Sequence, residues 1–160
     1  MAREKPTQEE IAKWQRWFAV ECNNDAWALA DQAERTSADD EQMLRLAHTA
    51  ALHWSRVGGP VHALRGDVLL AWVHAAAGLG QDAQRFADRA AKVLDTVEGV
   101  GDWDRAFMPI AVCYAHHAAG DTTRADSAAA QLDAARQTLS DDEDRKVFDH
   151  YRAMLPKGGA

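Results

Sequence analysis

Laid over itself with a shift of 42 residues, the chain superposes Ala71, His74, Gly78, Ala83 and Ala87 on Cys113, His116, Gly120, Ala125 and Ala129. In each copy the first three positions fall at i, i+3 and i+7, one stripe of an α-helix, and the last two at i and i+4 of the next helix. The glycine between them stands where a helix stops. Each unit therefore reads as two antiparallel helices, drawn close where the small residues face each other. A lone unit of this kind cannot bury its apolar face, so the copies must stack and be covered at their ends.

The rest of the chain is consistent with an all-α fold, because no stretch alternates with period two or concentrates β-branched residues. Turn and cap signals predict about eight helices. Thr7 with Glu10 reads as a capping box opening the first, which Asn23-Asn24-Asp25 ends. A second covers residues 25–34, and a third, capped between Ser37 and Asp40, runs to Val57 and stops at Gly58-Gly59-Pro60. The fourth, fifth and sixth are expected over 60–77, 81–97 and 103–119, with Asp102 capping the sixth and Pro109 kinking it by removing the donor to Arg105. The seventh spans 122–139. Ser140 with Glu143 reads as another capping box before an eighth helix to Leu155.

A small residue, a large one three positions on, a glycine at the turn and alanines down the second helix resemble the tetratricopeptide repeat. His74 and His116 stand where that family has an aromatic, and the 42-residue step exceeds the usual ~34. A degenerate earlier unit is marked by Ala50, Trp54 and Val57. The resemblance implies a single domain over 1–160, built as a right-handed stack of antiparallel helix pairs over residues 39–139. Flanking helices would occupy 1–38, a capping helix 140–155 and a frayed tail 156–160. The segments Asn23-Asn24-Asp25-Ala26-Trp27, His53-Trp54-Ser55-Arg56-Val57-Gly58 and Gly101-Asp102-Trp103-Asp104-Arg105-Ala106-Phe107 are similar to a group of small bacterial tetratricopeptide-like proteins without assigned activity. That likeness implies a fold and no reaction.

Charge and termini narrow the partners. With 18 Lys+Arg against 25 Asp+Glu the net charge is −7, and no basic cluster occurs, so neither nucleic acid nor an anionic membrane is expected. No apolar run follows Met1-Ala2-Arg3-Glu4-Lys5-Pro6, and the most apolar stretch, 68–80, is short and contains His74, which predicts a cytoplasmic protein. Cys22 and Cys113 are far apart and predicted to be reduced, with Cys113 a packing residue.

The seven histidines do not form a chelating pattern. His48 and His53 are i, i+5, and the adjacent His116 and His117 diverge on a helix, so no metal and no cofactor is expected. No catalytic or nucleotide-binding motif occurs. His74 and His116 read as half-buried packing residues. Asp102 and Asp104, the cluster Glu4, Glu9 and Glu10, and the run Asp141-Asp142-Glu143-Asp144 read as cap charges at helix starts.

In tetratricopeptide proteins the first helices of successive pairs line a concave groove. That face carries Arg65, Val68, Trp72 and Ala75 on one helix beside Phe107, Ile110, Tyr114 and His117 on the other. The favoured reading is thus a non-catalytic protein that binds a peptide or partner protein through Arg65, Trp72, Phe107, Tyr114 and His117. The competing structural reading is that Trp72 and Tyr114 close the core. An alternative function is a small-molecule-binding protein or enzyme with an inter-helix pocket around His48, His53, Arg65 and His74. A third reading, homodimer formation, would be signalled by an apolar patch on a terminal helix.

Overall fold

The structure is a computed structural model that describes residues 5–156, and no strand occurs among them. Its helices are α1 (Gln8–Ala30), α2 (Ser37–Val57), α3 (Pro60–Ala76), α4 (Gly80–Val93), α5 (Asp102–Ala118), α6 (Thr122–Ala129), α7 (Leu132–Thr138) and α8 (Asp142–Ala153). Glu4 and the tail beyond Pro156 lie outside the described residues.

These helices do not map one to one on the expected ones. The first two are a single helix: α1 runs unbroken through Asn23-Asn24-Asp25 because Ala19, Ala26 and Ala30 form a buried stripe along α2. Tertiary packing there outweighs the weak helix propensity of three polar residues. Conversely, the expected 122–139 helix is two short ones, α6 and α7, separated at Ala130-Gln131. Neither residue is glycine or proline and both keep right-handed dihedrals, so no local signal marks the break. The break seats Leu132 and, after α7, Leu139 in the core.

Caps follow the sequence closely but not everywhere. Thr7 and Glu10 form the expected box, the Glu10 carboxylate accepting from the Thr7 N–H at 2.7 Å. The second box is Thr36 with Asp39, at the entrance of α2. Ahead of α8 the cap is Asp141, whose Oδ1 accepts from the Glu143 and Asp144 N–H groups, in place of the expected Ser140 box. Ahead of α5 the cap position is Gly101, not Asp102. α5 continues on both sides of Pro109.

Neighbouring helices in the chain pack on each other from α1 through α6, and α1 also packs on α3 and α3 on α5. α5 is further covered by α7 and α8. The two repeat copies end their first helices identically. Gly78 and Gly120 adopt φ of +73° and +78°, left-handed values that favour glycine. The His74 carbonyl accepts from Leu79 N–H at 2.8 Å, and the His116 carbonyl from Asp121 N–H at 2.9 Å. The Gly78 N–H donates to the Ala75 carbonyl at 3.1 Å and the Gly120 N–H to the His117 carbonyl at 3.0 Å, completing a Schellman motif in each copy. Of the aligned alanines, Ala83, Ala87 and Ala125 are buried, whereas Ala129 is exposed and Ala128 is buried beside it.

Candidate functional site

α1, α3, α5 and α8 enclose a cleft of about 280 Å³. Residues one helical turn apart supply it: Asn23 and Trp27 from α1, Leu64, Arg65 and Val68 from α3, Trp103, Asp104 and Phe107 from α5, and Val147 and Tyr151 from α8. Phe107 and Tyr151 are buried, 5.2 Å apart and edge to face. Trp103 stacks on Phe107 at 5.3 Å, and Trp27 meets Tyr151 edge-on at 5.3 Å. Aromatic side chains thus provide most of a rigid apolar lining.

One ion pair gives this cleft polarity. Arg65 donates from Nε to Asp104 Oδ1 at 2.8 Å and from Nη2 to Oδ2 at 2.9 Å, a two-pronged pairing that fixes the guanidinium plane. Oδ2 also accepts the Gly101 N–H at 2.9 Å. Burial of Asp104 opposes its ionisation, but the Arg65 hydrogen bonds, the Gly101 N–H and the Arg65 charge outweigh it and hold the carboxyl below its ordinary value. The aspartate is only 7% exposed, while the arginine side chain remains half exposed, so the group offered outward is cationic. Burial, with the nearby Asp31 charge, pushes the Tyr151 phenol up, keeping it neutral.

The predicted groove is divided by this arrangement. Arg65 and Phe107 line the cleft. Trp72 does not: it is 0% exposed, packed against Trp27 and Tyr151 at ring distances of 6.1 and 5.2 Å and against Tyr114 at 4.5 Å. α1 and α8 cover the face on which Trp72 lies, so it is a core residue. Tyr114 is half-buried behind it, and His117 lies in the last turn of α5; neither lines the cleft.

The alternative histidine pocket is not assembled either. His48 and His74 do meet, Nε2 to Nε2 at 3.4 Å. Because His74 Nδ1 donates to the Leu70 carbonyl at 2.7 Å, its Nε2 is left to accept from His48. His53 instead donates through Nδ1 to Gln15 on α1 at 2.5 Å, and Arg65 is committed to Asp104. The reason is geometric: residues five apart on α2 point to different neighbours. No group of three or more metal-ligating side chains occurs among the described residues.

Trp27, Trp103, Asp104 and Tyr151 were missed as site residues by reasoning from helix stripes. A signal for three of them was present, since the segments 23–27 and 101–107 each reach the cleft, while 53–58 does not. Tyr151 carried none, because α8 is brought over α5 only by tertiary packing. No family model, no curated protein and no solved structure matches the chain.

Proposed function

We propose that this is a cytoplasmic, non-catalytic tetratricopeptide-like protein that holds a peptide or partner protein in the cleft between α1, α3, α5 and α8. The observation that carries the reading is an aromatic-lined cleft with a single outward-facing cation, Arg65, held in place by buried Asp104. The aromatic lining suits an aromatic or branched apolar side chain, and the guanidinium is suited to a carboxylate or backbone carbonyl beside it. The identical turns after α3 and α5, and the packing of α1 on α3 and α3 on α5, support the stacked-pair architecture. Asp104 has both oxygens engaged by Arg65 and Gly101, which suits it to positioning and not to proton transfer.

The test is selection from a displayed random-peptide library, followed by titration of synthetic winners against the tryptophan fluorescence of the chain. Enrichment of apolar anchors next to an acidic residue is expected, with binding weakened about tenfold or more by Trp103→Ala and by Arg65→Gln, because such anchors carry a large share of interface energy. Equal affinity of the selected peptides for parent and both variants would reject the cleft as the site.

A further inference from the structure

One glycine inside α3 is not explained by the fold. Gly66 is buried in the middle of that helix, where glycine is among the least favourable residues. Its φ is not positive, and a Cβ on it would come no closer than 3.8 Å to a neighbour, the Ala51 methyl of α2, which is ordinary van der Waals contact. Alanine would fit and would strengthen the helix. What a Cβ would remove is room, because Gly66 lines a groove of about 430 Å³ along α3, to which α2 and α4 also contribute. A helical glycine whose side of the helix is left open lets a ligand approach the backbone.

The lining of the groove says what that ligand is. Along α3 it runs from Pro60 to Leu70, ten residues or about 15 Å of helix. Ala51 of α2 and Val93 of α4 add methyl groups, and apart from His62 no aromatic side chain lines the groove among the described residues, in contrast to the cleft. Such a lining suits an aliphatic chain, held by dispersion and loss of hydration. The arginine of the groove marks one end. Buried Asp67 accepts from Arg89 Nε at 2.6 Å and also from Nη2, which fixes the guanidinium plane, while the arginine side chain stays half exposed. Arg89 Nη1 donates to nothing among the described residues, so it is available to an oxygen acceptor. His62, toward the other end, has its ring stacked on Trp54 at 4.2 Å and its Nδ1 engaged by the Gly59 N–H.

We infer that this groove is a second binding site for an aliphatic chain ending in an oxygen acceptor, alcohol or carboxylate, with the oxygen on Arg89 and the chain passing over Gly66 toward Pro60. Leu64 alone lines both this groove and the peptide cleft, so the two sites can be read apart.

Titration of the full chain with octanol, octanoate and octylammonium, followed by methyl NMR, tests the inference. Saturable shifts of the Ala51, Leu70 and Val93 methyls are expected with octanol or octanoate, the two arms reporting whether the head group is uncharged or ionised. Octylammonium, which brings a cation to Arg89, is expected to bind about tenfold more weakly or worse. Gly66→Ala is expected to melt at or above the parent temperature, since alanine is the better helix former, and yet to bind about tenfold less tightly, the effect of one methyl group too many in an apolar site. Ala63→Leu, at an exposed position that also lines the groove, is expected to lose binding to a similar degree with the fold kept. No saturable shift with either oxygen-headed ligand, octylammonium binding as well as octanol, parent affinity in both variants, or a Gly66→Ala chain that melts well below the parent would overturn the inference.

Discussion

His74 and His116 stand at the same height of α3 and α5, both buried and each four residues before a left-handed glycine, yet they face different neighbours. His74 donates to the Leu70 carbonyl and meets His48. His116 turns Nε2 to Asp88 at 2.9 Å, an aspartate that Arg124 also holds, with Asp121 3.5 Å from its Nδ1. The same offset relates Trp72, wholly enclosed by α1, α5 and α8, to Tyr114, which is half-buried. It also relates Gly80, whose α4 start abuts the end of α5, to Thr122, which is exposed. A repeat fixes which way a residue points along its own helix. What it meets is set by the helices packed around it, which differ for α3 and α5.

The sharpest way to break this equivalence is at the aromatic pair. Trp72→Ala should cost about 3–5 kcal/mol in urea unfolding, because it empties the centre of the core, and Tyr114→Ala distinctly less. Equal losses would mean that burial does not separate the two units. Gly80→Ala comes next: a Cβ there would run into the Ala118 carbonyl group, backbone atoms that can move only with the whole helix end. A loss of about 3 kcal/mol is expected against less than about 0.5 kcal/mol for Thr122→Ala, both read from chemical denaturation.

A milder contrast lies between the alanines. Ala87→Leu must overpack a buried site and should cost about 1–3 kcal/mol, whereas Ala129→Leu, on an exposed position, should stay within about 0.5 kcal/mol by thermal melting. The smallest effect is acid sensitivity of the His48–His74 network. Burial, then the facing His74, lowers the His48 pKa from its ordinary 6.5, so the unfolded chain takes up the proton first. Stability from this group is therefore complete above 6.5 and declines as pH falls below it. His48→Gln should flatten the fall in urea midpoint between about pH 7.5 and about pH 5.5. Some slope should persist, since burial and Arg65 also lower the His62 pKa. An unchanged slope would mean that the His48–His74 contact does not persist in solution.

Helical class, the Thr7 and Glu10 box, the Gly58-Gly59-Pro60 break and the paired glycine stops could be read directly, because each depends on a few adjacent residues and their dihedral preferences. The Asn23-Asn24-Asp25 signal misled for the opposite reason: local propensities there amount to a fraction of the energy gained by continuing the buried alanine stripe of α1 on α2. Arg65 and Phe107 could be chosen from their helix faces. That Trp72 is enclosed could not, since its neighbours Trp27 and Tyr151 lie tens of residues away in the chain.

By itself, then, the order of residues determined what is periodic and local in this protein: the helical stripes, most caps and the 42-residue unit. Only the tertiary structure decided which stripe is covered. α1 and α8 fold over one end of the predicted groove and leave a cleft at the other, where Asp104, otherwise a cap residue, becomes the buried anchor of Arg65. Burial depends on the sum of contacts from several helices, and a helix stripe is equally apolar whether its partner is a neighbouring helix, a ligand or water.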